Sequence, residues 1–157
     1  MRILIVEDNA FNAFCLSSLL EMINKQIKVK VVNDSLSALC YIAQYEVSLI
    51  ILDGDLGARQ DLKCNGPALA DLIWLNHPYI PIIAWSDSEE MRTAFSSVFT
   101  QHNKEFNDYS CWKKEVKLDL IQQSLPFLMT QNTFNHFDDA QNTENMDNLV
   151  MASALAG

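Results

Sequence analysis

The sequence predicts a doubly wound α/β domain on a parallel sheet of five strands, and three observations predict it. Five short apolar runs alternate with five segments whose apolar residues recur at threes and fours. That alternation is the pattern of strand–helix units that build a parallel sheet. The middle run, Leu49-Ile50-Ile51-Leu52, is continuously apolar and branched, as a strand covered on both faces must be. Four runs stop abruptly at polar groups, namely Glu7-Asp8, Asp53, Ser86 and Lys113-Lys114.

Taken in order, Ile3 to Val6 is the first strand. Asn9 can cap a helix whose inner face, by spacing, is Phe11, Phe14, Cys15, Leu19, Met22 and Ile23. Lys28 to Val32 alternates and is short, which suits an edge strand. Asn33-Asp34-Ser35 breaks it and opens a second helix, with Leu36, Leu39, Cys40 and Ala43 on one side. The third strand delivers Asp53 to its carboxyl end, where open α/β sheets bind ligands. Gly54 and Gly57 then turn the chain into a long polar loop over 54–66.

Pro67 opens the third helix, with Leu69, Leu72, Ile73 and Trp74 as its contacts, and His77-Pro78 ends it. Pro81 to Trp85 is the fourth strand and ends at Ser86. Asp87-Ser88-Glu89-Glu90 starts a helix carrying Met91, Ala94, Phe95, Val98 and Phe99. Tyr109 to Trp112 is the fifth strand, and Leu118, Ile121, Leu125 and Leu128 mark the last helix. The folded domain is expected over 1–129. The segment 130–157 is rich in Asn, Gln, Asp and Thr, so a loosely ordered tail is expected, with Asn148 to Leu155 apolar enough for a short docking helix.

The 157 residues are 49% apolar and 20% charged, which suits one globular domain. No apolar run approaches the ~20 residues that span a bilayer. The N-terminus turns acidic at Glu7-Asp8, too soon for a secretory signal, so a cytoplasmic location is expected. The net charge of −9, without a basic stripe, argues against nucleic acid as a partner. Cys15, Cys40, Cys64 and Cys111 form no C-x-x-C pair; three lie in apolar stretches and are expected as buried thiols.

Parallel strands bring the four polar ends to one edge of the sheet. Three carboxylates there repel one another, and a divalent cation is the natural compensation. Oxygen ligands with waters suit magnesium. A metal beside a free carboxylate, a hydroxyl and an ammonium makes a site that accepts a phosphoryl group. Asp53 attacks phosphorus, the ion and a lysine neutralise charge, and Ser86 donates a hydrogen bond. Singly, these residues have commoner uses as caps or solvated pairs; their arrival at four corresponding strand ends favours chemistry.

The ordered set Ile3-Leu4-Ile5-Val6-Glu7-Asp8, Leu49-Ile50-Ile51-Leu52-Asp53, Pro81-Ile82-Ile83-Ala84-Trp85-Ser86 and the lysine after the fifth strand resembles the response-regulator receiver family of two-component signalling. The resemblance covers roughly residues 1–128. It implies a flavodoxin-like sheet in the order 2-1-3-4-5, and a phosphoacceptor Asp53 served by a histidine kinase or phosphotransfer protein. It implies that Glu7, Asp8 and Asp53, with the backbone carbonyl of Asp55, hold magnesium. Ser86 would hydrogen-bond the phosphoryl group, and Lys113 or Lys114 would pair with it. Such a protein is a phosphoacceptor rather than an enzyme. With only 29 residues after Leu128, output is expected through a downstream protein partner.

The chain departs from the family at several points. The loop from Asp53 to Gly66 is long, the segment from Phe99 to Asn107 is extended, and Lys-Lys-Glu replaces the usual Lys-Pro. Tyr109 and Trp112 are both candidates for the aromatic that moves with Ser86. Asp87 stands where a small residue is usual; it either repels the phosphoryl group or caps the fourth helix. Two other functions compete. Leu52-Asp53-Gly54-Asp55-Leu56 also resembles the nucleophile motif of haloacid-dehalogenase-type phosphatases, although that motif normally sits on the first strand. The third reading is a receiver-shaped interaction module that no longer cycles phosphate.

Overall fold

Branched apolar runs form the strands, and the computed structural model, which describes residues 1–56 and 65–130, places them side by side. The strands are β1 (Arg2–Val6), β2 (Lys28–Val32), β3 (Leu49–Asp53), β4 (Ile82–Trp85) and β5 (Cys111–Trp112). They form one sheet in the order β2-β1-β3-β4-β5, with every neighbouring pair parallel. Helices α1 (Ala10–Ile23), α2 (Ser35–Gln44), α3 (Gly66–Asn76) and α4 (Glu89–Gln101) connect the strands, and α5 covers residues 118–130. This is the doubly wound α/β architecture that the sequence predicts.

The central strand anchors the molecule. Leu49, Ile50, Ile51 and Leu52 are each fully buried. Full burial of one such side chain stabilises by about 1.5–3 kcal/mol. Alternation along the strands divides the core between the two faces of the sheet. Leu4, Ile50, Leu52 and Ala84 pack with Leu69, Ile73, Trp74, Phe95 and Phe99 under α2, α3 and α4. Ile3, Ile5, Leu49, Ile51, Trp85 and Trp112 pack with Leu16, Leu20, Ile121 and Leu125 under α1 and α5. Lys28–Val32 is the edge strand expected, with its lysines outward.

The helix ends follow local chemistry. Asn9 caps α1 by accepting from Phe11 N–H at 3.0 Å and Asn12 N–H at 3.1 Å. Asp34 caps α2 and Asn65 caps α3, with Pro67 in the first turn as expected. Asn103, at φ 54°, ends α4. Its N–H donates to Thr100 and that of Lys104 to Phe99, the paired bonds of a Schellman ending.

Two helix faces differ from the expectation. On α1 the structure buries Ala13, Leu16 and Leu20, whereas Phe11, Phe14 and Met22 are 73%, 69% and 73% exposed. On α2 it buries Ala38 and Ile42 and exposes Leu36, Cys40 and Ala43. Both helices carry apolar residues on nearly all sides, so two offset stripes satisfy the three-and-four spacing. The stripe that won carries a small Ala close to the sheet. Leu72 of α3 is likewise outward. Two of the expected buried thiols, Cys15 and Cys40, are exposed for the same reason, and Cys111 is half-buried. The strand expected from Tyr109 is shorter, because Tyr109 and Ser110 belong to a turn tied by Ser110 Oγ to the Glu105 carbonyl at 2.9 Å. Residues 57–64 of the polar loop, with Gly57 and Cys64, lie outside the described residues, as does the expected tail beyond residue 130 with its docking helix.

Gly66 sets how closely α3 approaches the sheet edge. A Cβ there would lie 2.0 Å from the Asp53 carbonyl oxygen and 2.7 Å from the Phe95 ring. Neither a strand carbonyl nor a fully buried ring has room to retreat. Gly66→Ala is therefore expected to cost about 1–3 kcal/mol in denaturant unfolding, the range of an overpacked core. An unchanged midpoint would mean that α3 slides without penalty.

Candidate functional site

The ends of β1, β3, β4 and β5 meet at one edge of the sheet. In register, Val6 faces Leu52, Asp53 faces Trp85, and Trp85 faces Trp112. The residues following these positions are therefore neighbours. Glu7 and Asp53 are 2% and 5% exposed, whereas Asp8 faces solvent. One carboxylate oxygen from each of Glu7, Asp8 and Asp53 lies within 4.8 Å of the other two.

The charge is compensated by a lysine. Lys114 Nζ contacts Asp53 Oδ1 at 2.8 Å and also donates to Glu7 Oε2. Its ammonium lies 4.0 Å from the centre of the Trp85 ring. Glu7 Oε1 accepts from Asn9 N–H at 3.0 Å, which ties the carboxylate to the cap of α1. The Asp53 carboxylate also accepts from the Asp55 backbone N–H. Burial nonetheless holds both Glu7 and Asp53 above the usual carboxylate range, against the opposing effect of Lys114.

Ser86 is buried beside this cluster, and its Oγ accepts from Ser88 N–H at 3.2 Å. A Cβ on Gly54 would lie 2.9 Å from Ser86 Oγ and 2.6 Å from Met91 Cβ, so the chain leaving Asp53 runs against β4 and α4.

The structure thus brings together Glu7, Asp8, Asp53, Ser86 and Lys114. It separates the two lysines that the sequence left open: Lys113 is exposed, and its carbonyl accepts from Trp85 Nε1–H at 3.1 Å. Asp55 is exposed two residues beyond Asp53. Asp87 does not cap α4; Ser88 does, accepting from Met91 N–H at 3.3 Å. Asp87 Oδ1 instead accepts from Lys114 N–H at 2.9 Å. Of the two candidate aromatics, Trp112 is fully buried with its Nε1–H on Ser124 Oγ, and Tyr109 packs on Phe127 with ring centroids 4.8 Å apart. Sequence reasoning missed Trp85 as part of the site; its position directly before Ser86 was the available signal.

The donor set fits a small hard cation. Ligand oxygens about 2.1 Å from magnesium lie roughly 3 to 4 Å apart, so small side-chain shifts close the triangle. All three donors are carboxylate oxygens. Any such ion shares Glu7 and Asp53 with Lys114.

The response regulator receiver domain family matches residues 3–106. No curated protein matches the chain. Among solved structures, NtrX from Brucella abortus in complex with ADP superimposes with a TM-score of 0.70 at 20% identity, over 88% of this chain and 29% of that one. The chain thus spans less than a third of NtrX. The signal receiver domain of an HD domain-containing protein from Pseudomonas fluorescens Pf-5 gives a TM-score of 0.71 at 18% identity, over 86% and 90% of the two chains. A CheY-like response regulator receiver domain protein from Methanospirillum hungatei JF-1 gives 0.67 at 18%, over 85% and 97%. Identities this low carry the fold alone.

The raised carboxyls of Asp53 and Glu7 have a consequence for stability. A carboxyl with a raised folded-state pKa holds its proton more tightly folded than unfolded. Its favourable contribution is complete below the unfolded value near 4 and is lost as pH rises through the folded one. Asp53→Asn removes one such group. Its melting temperature at pH 7 is expected to exceed that of the wild type by a few degrees, on the order of 2–6 °C. The difference should shrink as pH falls toward 4. A lower melting temperature for Asp53→Asn at pH 7 would show that the pairing with Lys114 outweighs burial.

Proposed function

The chain belongs to the response regulator receiver domain family, and from that premise we propose that it accepts a phosphoryl group on Asp53 in a magnesium-dependent phosphorelay. The observation that carries the reading is the buried Asp53 carboxylate held 2.8 Å from Lys114 Nζ, with Glu7, Asp8 and Ser86 around it. Members of the family are generally phosphoacceptors rather than catalysts.

In this reading Asp53 Oδ is the nucleophile, and the phosphoryl group passes to it from a donor while the donor's bond to phosphorus breaks. Lys114 neutralises charge on the transferred oxygens. Ser86 Oγ–H donates to one of those oxygens. Glu7, Asp8 and Asp53, with the Asp55 carbonyl, would hold magnesium, which when bound offsets the negative charge of the phosphoryl group. Lys113 has no part.

The donor is a histidine kinase or a phosphotransfer protein, and output passes to a protein partner. Phe11 and Phe14 of α1 stand exposed, and Phe11 lines the same cleft as Lys114, an apolar surface suited to such contact. We assign the receiver to 1–129 and leave 130–157 as an appended tail. No described helix is long and apolar enough to cross a membrane. A cytoplasmic site of action is proposed with the phosphorelay role. The structure-independent rivals, a phosphatase using Asp53 and Asp55 and a non-cycling module, gain no specific observation.

Incubation with acetyl phosphate and magnesium is expected to add one phosphate by mass to the wild type and none to Asp53→Asn. Labelling of that variant at full stoichiometry would refute the assignment. In the unphosphorylated protein, Asp8→Ala is expected to weaken magnesium affinity by about tenfold or more, the cost of one charged ligand of three. Equal affinity in a fluorescence titration would remove Asp8 from the site.

A further inference from the structure

Past the end of the β4–β5 ladder, two side chains continue the pairing. Ser86 N–H donates to the Trp112 carbonyl at 3.0 Å, and the backbone bonds stop there. The residues on either side of Ser86 then reach across. Trp85 Nε1–H donates to the Lys113 carbonyl at 3.1 Å. Asp87 Oδ1 accepts from Lys114 N–H at 2.9 Å. That carbonyl and that N–H are the two ends of a single peptide unit, and a peptide unit is planar. Holding both ends fixes its orientation, and with it the direction in which the Lys114 side chain leaves the backbone. The same Trp85 then lies beneath the Lys114 ammonium, 4.0 Å from ring centre to Nζ.

Each bond alone has an ordinary explanation. A buried indole needs an acceptor, and an Asp in a turn commonly takes a backbone N–H. What distinguishes this pair is its target: both bonds fall on the peptide that carries the site's ammonium. The residue after Lys114 is Glu115, so no proline ring stiffens the loop from within. Stiffness has to come from outside the loop, and the end of β4 supplies it. Trp85 is 2% exposed and cannot swing away, whereas Asp87 faces solvent.

We propose that Trp85 and Asp87 are positioning residues that clamp the Lys113–Lys114 peptide and hold the Lys114 ammonium against Asp53. The geometry stands by itself; its effect on phosphoryl transfer rests on the phosphoacceptor reading of Asp53. Asp87 then assists phosphorylation, contrary to the repulsion its charge suggests from sequence.

The test compares the full chain with Asp87→Ala, Asp87→Asn and Trp85→Phe. Asn keeps the oxygen acceptor without the charge, and Phe keeps the ring face without the N–H. The first measurement is the rate of phosphorylation by acetyl phosphate at saturating magnesium. Asp87→Ala and Trp85→Phe are expected to be about threefold to tenfold slower, the effect of one hydrogen bond. Asp87→Asn is expected to recover most of the wild-type rate. The second measurement needs no phosphodonor: hydrogen exchange at the Lys114 amide, protected in the wild type and in Asp87→Asn, and faster in Asp87→Ala. Repulsion predicts faster phosphorylation in both Asp87 variants, and that result overturns the clamp. A lowered melting temperature with an unchanged rate in Asp87→Ala and Trp85→Phe overturns it too, as does rapid exchange of the Lys114 amide in the wild type. Should Asp87→Ala not fold, Asp87→Asn decides between clamp and repulsion. If the wild type takes no phosphate, the reading of Asp53 fails, and amide exchange alone decides the clamp.

Discussion

Two carboxylates buried at the edge of a sheet are bridged by a single ammonium. Glu7 and Asp53 are nearly inaccessible, with oxygens within 4.8 Å of each other and of Asp8. At that separation two unit charges repel by roughly 3 kcal/mol at an effective dielectric of ~20, before any cost of burial. Lys114 contacts both. The three side chains come from the ends of β1 and β3 and the loop after β5, with Glu7 and Lys114 separated by 107 positions in the chain. Only parallel strands end together in this way, so the charge cluster and the sheet topology depend on each other.

Much of this was legible in the sequence, and the reasons differ by element. The strands were legible because Ile3–Val6, Leu49–Leu52 and Ile82–Trp85 are buried on both faces and read as uninterrupted apolar runs. The acidic and hydroxyl members of the site were legible because each directly follows such a run or, for Asp53, ends it. The inner faces of α1 and α2 were not. With Phe11, Phe14 and Met22 on one side and Leu16 and Leu20 on the other, spacing offered two stripes, and only packing on the sheet chose.

The choice between Lys113 and Lys114 lay beyond the sequence for a related reason. Strand β5 has only two residues, too few for a period to fix which lysine turns inward. The turn at Asn107–Ser110, closed by Asn107 and Ser110 side chains, sets the register instead. The contacts of Trp85 and Asp87 join residues 28 and 27 positions apart, side chain to backbone, and leave no periodic trace. Asp87 shows how a charge can mislead when read without its partner. Its carboxylate is engaged by a backbone N–H of the lysine loop, so its orientation follows from β4–β5 pairing rather than from capping α4.

The proposed function makes Asp53 the reacting group, and an acyl phosphate has a chemistry that identifies its position directly. Borohydride reduces a phosphorylated aspartate to homoserine and leaves ordinary carboxylates untouched. The protein, treated with acetyl phosphate and magnesium, is reduced, digested and sequenced by mass spectrometry. Homoserine is expected at position 53, with Glu7, Asp8 and Asp55 unchanged. Homoserine at Asp55 or Asp8 in place of position 53, or none at any carboxylate, would contradict the role proposed for Asp53.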